Sequence, residues 1–473
     1  MINSKSIIII GGGISGLFAA WKLSQSGYKI TLLERQKFLG GFATSIPKND
    51  CMIDIGPHYV SLERDSKIFN DVLTLVKQEN IIELPLLIEQ SYLSYFHGHI
   101  LTSGPTLYFG LTNDFLSKIN GILNLFLSKL RIHRDKIIDP EKYLISLYGK
   151  YLYNSWCKPL LIQSFGAIPP LDYIKNSFEP ITFKRILQFL KKTKSDNSQK
   201  TSLENNHKMF NCYFKNGMGS IVDSLERKIK DNGGEIILEA DIQSIKREKI
   251  KSVIYKKNNE NFIKTSDIII YSVPFSITRQ WFDKFKIDSN STNFAHSYHS
   301  IMVFLLIDTP ELFDGWILDI FDLSVPFFRI TQQTFLSKYI APPRKTLLCI
   351  EIRSFENDPL WSLENSLLFK KIKNNLIKLK ILNNEEVEFL KILKFKNLYR
   401  TRFFINNFDE KEIETYINSH ENEFALGTAK IDAGRLVSNK DVITEKQSTF
   451  GGFYLALLQS EKIVDKILMK VND

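Results

Sequence analysis

The sequence predicts an α/β fold built on a parallel sheet, from three patterns within its first 34 residues. Four consecutive isoleucines, Ile7 to Ile10, form a β-branched run typical of a strand that is buried on both faces. The run leads into a glycine turn, Gly11-Gly12-Gly13-Ile14-Ser15-Gly16, and then into a helical pattern. A second apolar strand, Ile30 to Leu33, ends at the acidic Glu34. Strand, glycine turn, helix and strand in this order predict a Rossmann-like unit.

The glycine turn fits the pattern G-x-G-x-x-G, in which each glycine has its own task. Gly11 allows a tight turn, Gly13 lets a pyrophosphate approach the backbone, and Gly16 lets the helix pack close to the strand. The helix, predicted over about 15–25, offers free N–H groups and a positive dipole end to the phosphates. Glu34 lies 21 residues after Gly13, where a carboxylate accepts hydrogen bonds from a ribose 2′-hydroxyl. We therefore predict a dinucleotide site, with a glycine turn that binds nothing as the alternative.

The loop after Glu34 carries a Gly40-Gly41 pair, six residues beyond the acidic residue. This pattern resembles the flavoprotein group of amine oxidases, protoporphyrinogen oxidases, phytoene desaturases and UDP-galactopyranose mutases. In that group the loop covers the FAD pyrophosphate and ribityl chain, and glycine suits it because a side chain would block the approach. The resemblance implies a Rossmann-like FAD-binding domain of the GR2 type and FAD bound without a covalent link. The residues that it implies for the first part of the FAD site are Gly11, Gly13, Ile14, Ser15, Gly16, Glu34, Arg35, Gly40, Gly41, Phe42 and Ala43.

The loop also departs from the group in two positions. Many members have arginine where this chain has Phe38 and again where it has Phe42. We therefore expect some phosphate contacts to come from Arg35 or Lys37 instead.

A second segment in the middle of the chain extends the resemblance. Gly217-Met218-Gly219 is expected to open a helix of about 12 residues that ends near Gly233-Gly234. A strand over 235–242, an antiparallel ribbon over 245–263 and a buried strand over 267–273 are predicted to follow. In the similar flavoproteins, the backbone at the position of Ile242 meets the adenine.

A third segment lies near the C-terminal end. Ile431 to Arg435 is predicted to close a strand, and a helix is expected to begin at 449–452 and to run to about Leu468. In the similar flavoproteins, such a strand and the following helix N-terminus hold the pyrophosphate and ribityl chain. The resemblance therefore adds Gly434 and Arg435 to the expected FAD site, with a surface ion pair as the alternative role of Arg435.

One histidine is a candidate for the active site. Asp54-Ile55-Gly56-Pro57-His58 resembles the segment that carries the chain to the flavin in the same group. His58 is the candidate polar residue beside the flavin. The alternative is a histidine whose hydrogen bonds are made inside its own loop.

The resemblance implies two interleaved domains. Residues 1–75, 205–275 and 420–473 are predicted to form a discontinuous FAD-binding domain. Residues 76–204 and 276–419 are predicted to form an α+β substrate domain, with strands of a mixed sheet at 298–307 and 345–352.

The composition excludes several classes of protein. Charged residues make up 24% and hydrophobic residues 44% of the chain, as in ordinary globular enzymes. The net charge of +10 is spread over many lysines instead of a basic stripe, which argues against nucleic-acid binding. No apolar run is long enough for a transmembrane helix, and the first strand begins too early for a signal peptide. The 4 cysteines have no metal-ligand spacing, so we expect a cytoplasmic protein without a metal site.

One amphipathic segment, Asp114 to Arg131, has two interpretations. Its apolar residues recur at helical spacing on one face, which is typical of a helix packed on its own domain. The alternative is a peripheral membrane contact or the lining of an apolar substrate channel.

The resemblance implies an enzyme, in which the flavin transfers a hydride or electron pair while the protein orients and shields the reactants. The first hypothesis is an oxidoreductase of the protoporphyrinogen oxidase or desaturase type, acting on an apolar or conjugated small molecule. The second is a UDP-galactopyranose-mutase-like isomerase acting on a nucleotide sugar, which Gly56-Pro57-His58, Gly434-Arg435 and the basic charge favour. A flavin-bearing binding protein without turnover is the third. Simple amines are not expected as substrates, because residues 297–309 contain no lysine where many amine oxidases carry one beside the flavin.

Overall fold

The computed structural model describes residues 5–56, 58–85, 91–96, 99–101, 123, 136–178, 209–282, 284, 297–355, 357–383, 385–400, 410–426 and 452–472. The predicted strand Ile431–Arg435, with Gly434 and Arg435, lies outside these residues. So does the amphipathic segment 114–131, apart from Leu123.

The described strands in chain order are β1 (Ser6–Ile10), β2 (Lys29–Leu33), β3 (Ser45–Lys48), β4 (Cys51–Asp54), β5 (Val60–Glu63), β6 (Ile81–Glu83), β7 (Tyr92–Phe96), β8 (His99–Leu101), β9 (Met209–Phe214), β10 (Glu235–Ile237), β11 (Asp241–Arg247), β12 (Lys251–Lys257), β13 (Glu260–Ser266), β14 (Ile268–Tyr271), β15 (Ser297–Ile307), β16 (Ile317–Ile320), β17 (Arg329–Gln332), β18 (Thr346–Ser354), β19 (Val387–Arg400) and β20 (Glu423–Ala425).

The described α-helices are α1 (Ile14–Gln25), α2 (Lys67–Val76), α3 (Pro140–Leu152), α4 (Lys158–Phe165), α5 (Leu171–Ser177), α6 (Gly219–Asp231), α7 (Phe275–Thr278), α8 (Pro359–Ser362), α9 (Asn365–Lys378), α10 (Glu410–Ser419) and α11 (Gly452–Asn472).

Five parallel strands form the first sheet, in the order β10-β2-β1-β14-β20. The isoleucine run lies at its centre, and successive side chains point to opposite faces. Ile7 and Ile9 pack on the side of α1, α6 and α11, whereas Ile8 and Ile10 pack on the side of the β11–β13 ribbon and α10. Both faces of the sheet are therefore covered, as the uninterrupted β-branched run predicts.

The second sheet has seven described strands in the order β19-β15-β18-β17-β16-β7-β8. Its described pairs are antiparallel except β7 with β16, so the predicted mixed sheet is confirmed. One face packs on α9, and the other packs on the β3–β4 hairpin through residues such as Met302, Cys349 and Ile53. That hairpin directly follows the Gly40-Gly41 loop, so it connects the second sheet with the glycine turn of the first.

Two sequence predictions for the middle segment have different outcomes. The helix after Gly217-Met218-Gly219 is confirmed as α6. The single strand predicted over 235–242 is wrong, because β10 ends at Ile237 and β11 begins at Asp241. Glu239 between them has a φ of 59°, a left-handed conformation that is incompatible with a continuous strand.

The domain boundaries remain a prediction, although strands from three separate parts of the chain pair in the first sheet. Among the described helices, none combines the length and apolar character needed to cross a membrane. In the same part of the chain, no three acidic, histidine or cysteine side chains are grouped as metal ligands would be.

Candidate functional site

The glycine turn at the end of β1 contains two glycines that are required by packing inside the protein. Gly11 has a φ of 110°, and a Cβ added to it would lie 2.3 Å from the Ser272 carbonyl oxygen. A Cβ on Gly16 would lie 2.1 Å from the Gly11 carbonyl oxygen. A methyl group cannot be accommodated at such distances from backbone atoms. These two glycines therefore hold α1 close to β1 and β14, in agreement with the tasks predicted for them.

The third glycine, Gly13, differs because it faces open space. A Cβ on Gly13 would meet no described atom within 4 Å. Gly13 is also the N-cap of α1, and the Leu17 N–H donates to its carbonyl oxygen at 3.0 Å. The N–H groups of Ile14 to Gly16 precede this first intrahelical bond, so the positive end of α1 is directed at the open space. The geometry suits a ligand phosphate.

The Gly40-Gly41 loop lies against the same turn. The Gly40 N–H donates to the Gly12 carbonyl oxygen at 2.7 Å, and a Cβ on Gly41 would lie 3.5 Å from the Gly13 Cα. Both loop glycines have positive φ angles, 94° and 58°. Two backbone segments without side chains thus approach each other at the N-terminus of α1.

Glu34 directly follows β2 and lies beside this turn. One carboxylate oxygen, Oε2, accepts from the Gly12 N–H at 2.6 Å, and Oε1 accepts from the Gln36 N–H at 2.7 Å. The side chain is half-buried and is held by both bonds. Each oxygen keeps a further lone pair, which suits the hydroxyl donors of a ribose and repels a 2′-phosphate.

The remaining predicted site residues lie around this turn in different environments. Arg35 is exposed, and Ile14 and Ser15 occupy the half-buried first turn of α1. Ala43 is buried, while the Phe42 ring packs edge-on against Phe395 of β19 with 5.9 Å between ring centroids. The roles of these residues as cofactor ligands stay predictions.

Ile242 lies at the start of β11, and its carbonyl oxygen accepts from the Trp281 indole N–H at 3.3 Å. The segment just before it is bonded to the end of β2, where the Ala240 N–H donates to the Glu34 carbonyl oxygen at 2.9 Å. The chain thus brings Ile242 to the side of the turn where the predicted ribose carboxylate lies. Its contact with an adenine stays a prediction.

His58 lies at the other end of the β3–β4 hairpin. Its Nε2 atom is buried and has no hydrogen-bond partner among the described residues. The ring donates to the Ile55 backbone, so the proton of the neutral ring is on Nδ1 and Nε2 is a bare acceptor. Burial lowers the pKa of His58 to about 4, although the hydrogen bond to Ile55 acts to raise it. The imidazole is therefore neutral at physiological pH, and the loop satisfies only one of its two nitrogens.

Asp54 joins the hairpin to the rest of the site. Its carboxylate accepts from the Ser45 and Tyr213 hydroxyls and from the Met218 N–H, at 3.2 Å from the nitrogen, at the start of α6. The Gln333 side chain donates to the Asp54 carbonyl oxygen at 2.7 Å. Burial raises the pKa of Asp54 to about 6, and these hydrogen bonds oppose the rise. Asp54 therefore fixes the segment that leads to His58.

The sequence analysis missed Glu351, which lies on β18 opposite Met302 of β15. The Glu351 carboxylate is buried, its Oε2 has no hydrogen-bond partner among the described residues, and Arg329 Nη1 is 3.6 Å from that oxygen. Burial raises the pKa of Glu351, while the Arg329 and Arg353 charges lower it. A signal was present in the sequence, because Glu351 interrupts an apolar strand that runs from Leu347 to Ile352.

A family model described as an NAD(P)-binding Rossmann-like domain matches residues 9–74. The matched residues contain the glycine turn, Glu34, the Gly40-Gly41 loop and His58. The first part of the chain therefore matches a Rossmann-like domain.

Two relatives match parts of the chain. Phytoene desaturase of Fusarium fujikuroi is 37% identical over 78 residues, which are 16% of this chain and 14% of that protein. A probable UDP-galactopyranose mutase of Klebsiella pneumoniae is 32% identical over 176 residues, which are 36% of this chain and 43% of that protein. The match spans less than half the length of either relative.

A solved structure matches nearly the whole chain. The crystal structure of reduced UDP-galactopyranose mutase has a TM-score of 0.73 at 16% identity and covers 98% of this chain and 96% of that one. Such a likeness establishes that this chain shares the fold of that structure. The predicted fold class and the predicted resemblance to this flavoprotein group are confirmed.

Proposed function

Because the chain shares the fold of UDP-galactopyranose mutase and begins with a Rossmann-like domain, we propose that it is an enzyme that binds FAD non-covalently. The observation that carries this proposal is the open space over Gly13 at the N-terminus of α1. Gly41 and Glu34 adjoin the same space. Open space for a phosphate, a helix dipole and a fixed carboxylate are what a dinucleotide with a free ribose requires.

We assign different residues to different parts of the bound FAD. The N–H groups of Ile14 to Gly16 hold the pyrophosphate, and Glu34 accepts from the ribose hydroxyls. Arg35 is exposed beside the turn and supplies a cation for the phosphates. In the predicted third segment, Arg435 supplies a second cation, and the neighbouring Gly434 has no side chain to block the approach of the backbone. Bound FAD supplies the capacity to accept or donate a hydride or an electron pair. His58 Nε2 and Glu351 Oε1 would lie 3.4 Å and 4.0 Å from a Cβ added to Gly56, where the loop after the hairpin meets the second sheet.

The first proposed reaction class is oxidation or reduction of a small molecule, as in the protoporphyrinogen oxidase and desaturase group. The match with phytoene desaturase, 37% identical over 78 residues, supports it. The proposed partner is a small-molecule substrate, and nucleic acid is not proposed as a partner.

The second proposed class is isomerisation of a nucleotide sugar. Two observations favour it over an apolar substrate. The match with the probable UDP-galactopyranose mutase extends over 176 residues. In addition, the sheet face next to Gly56 carries charged side chains, Glu351, Arg329 and Asp319, instead of a continuous apolar surface.

One experiment separates the two classes. The purified protein is reduced with dithionite in stoichiometric amount, without oxygen, and UDP-galactopyranose is added. Conversion of many sugar molecules per flavin, with no acceptor consumed, supports the isomerase. Conversion that stops after one equivalent, or that requires an electron acceptor, supports the oxidoreductase.

A further inference from the structure

A cavity of about 270 Å³ opens at the end of the first sheet that is opposite to the glycine turn. It lies where β1, β14 and β20 begin, beside the C-terminal part of α11, and its lining includes Lys5, Asn422, Phe424 and Lys470. The glycine turn follows the other end of β1. The cavity is therefore separate from the proposed FAD site.

Two lysine side chains of α11 converge on one aromatic ring at this cavity. Lys466 Nζ is 5.5 Å and Lys470 Nζ is 5.4 Å from the centroid of the Phe424 ring. The two lysines are four residues apart on the helix, a spacing at which like charges repel each other. Phe424 is only 2% exposed, so the core fixes the position of its ring. A fixed ring thus gathers two positive charges at the rim of the cavity.

These charges lack a close carboxylate partner. Within the described ranges, neither these two lysines nor Lys5 forms an ion pair. The pKa of Asp267 is lowered mainly by hydrogen bonds from Ser6, and the charge of Lys5 makes only a smaller contribution. Glu421 lines the cavity as well. Three lysines against this one glutamate leave an excess of two positive charges.

The C-terminal dipole of α11 offsets only part of this excess. The helix ends at Asn472, and a helix dipole acts within the last turn, which includes Lys470 but not Lys466. Lys5 precedes β1 and does not belong to the helix. An anion in the cavity would neutralise the charges that the helix end does not reach.

We propose that this cavity binds the phosphate group of a soluble phosphorylated molecule or of a lipid headgroup. A phosphate monoester carries a charge of about −1.5 to −2 near neutral pH and offers three acceptor oxygens. Its charge matches the excess of the cavity, and the side-chain amide of Asn422 adds an uncharged donor to the lysine ammonium groups. The proposal does not depend on the proposed function, because the two sites lie at opposite ends of the same strands.

The test measures the binding of inorganic phosphate to the FAD-loaded protein by isothermal titration calorimetry at low salt. The α11 double variant, Lys466→Gln with Lys470→Gln, removes two charges from exposed positions and should keep the fold. It should weaken phosphate binding on the order of tenfold, because the lost hydrogen bonds join two charged groups. A protein that takes up no FAD is tested in the same way, since the variants and not the cofactor identify the site.

The α9 double variant, Lys370→Gln with Lys371→Gln, is the matched control. It removes the same charge from two exposed lysines of a helix that packs on the second sheet. Its phosphate affinity should stay within about twofold of the parent, because salt screens distant surface charges.

Co-sedimentation with phosphatidylcholine vesicles, with and without phosphatidic acid, separates a lipid headgroup from a soluble ligand. Binding of phosphate, or of the vesicles that contain phosphatidic acid, supports the proposal if the α11 double variant weakens it and the α9 double variant does not. The probe that binds identifies the source of the phosphate. Absence of binding to both probes, binding that the α11 double variant leaves unchanged, or equal weakening in both double variants would overturn the proposal.

Discussion

Glu34 is a single residue on which both the turn and the proposed cofactor depend. We expect Glu34→Ala to weaken FAD binding on the order of tenfold to a hundredfold, since bonds to a charged acceptor contribute about 1.5–3 kcal/mol. The apo-protein should keep its fold, because Glu34 is only half-buried and Gln36, one of the two residues whose N–H it accepts from, is exposed. FAD titration measures the first effect and circular dichroism the second. The FAD affinity of Glu34→Gln, which keeps one acceptor oxygen, should lie between that of the parent and that of Glu34→Ala. Parent-like affinity in both variants would show that the ribose does not bind at Glu34.

Asp54 is a residue whose contribution depends on pH. Its pKa is about 6 in the fold against an ordinary 3.8, so between these values the folded protein keeps a proton that the unfolded chain has released. The stabilising contribution of protonated Asp54 is complete below the unfolded value and is lost as the pH rises through about 6. The amide of Asp54→Asn does not titrate. The variant should therefore lose more unfolding free energy at about pH 4 than at about pH 7, by on the order of 1–3 kcal/mol.

Urea unfolding of both proteins at the two pH values measures this difference. Asp314→Asn, at an exposed aspartate, is the control and should show no such dependence. A loss that is equal at both pH values, or larger at about pH 7, would contradict the assignment of the buried proton to Asp54.

At the scale of the element, we predict that alanine substitutions at two glycines of the β1–α1 turn have opposite effects on stability and on FAD binding. Gly16→Ala places a methyl 2.1 Å from the Gly11 carbonyl oxygen and should destabilise the apo-protein by several kcal/mol, on the order of 3. Gly13→Ala meets no described atom within 4 Å and should change apo-protein stability by less than about 1 kcal/mol. Its methyl occupies the proposed phosphate space, so FAD affinity should fall more than tenfold. Thermal unfolding of the apo-proteins and FAD titration check the pair, and a stable Gly16→Ala or a tight-binding Gly13→Ala would refute it.

The same element shows why part of the site could be predicted from the sequence. Gly11, Gly13, Gly16 and Glu34 belong to two adjacent strands and one helix, so their spacing along the chain fixes their arrangement in space. Glu351 could not be placed in this way. Its position depends on the register of β18 with β15 and on how the second sheet meets the hairpin, which no local pattern encodes. The break at Glu239 was missed for a related reason, because a non-glycine residue in a left-handed turn carries little signal in the sequence.

At the scale of the whole molecule, the two sheets meet through the hairpin that carries Gly56, and β15 supplies Met302 at that junction. No lysine occurs in β15, the strand on which many amine oxidases carry one beside the flavin. We therefore predict no appreciable oxidation of simple amines. Hydrogen peroxide production with spermine and benzylamine is the assay, and turnover above about 1 s⁻¹ with either would contradict the prediction.

The central claim is that this chain holds FAD at the glycine turn without a covalent bond. Acid precipitation of freshly purified, folded protein tests it most directly. The account predicts a yellow supernatant that contains FAD, in an amount that approaches one molecule per chain after incubation with excess FAD and desalting. A yellow pellet under a colourless supernatant would contradict the non-covalent link. Folded protein that carries no flavin and takes up none would contradict the claim as a whole.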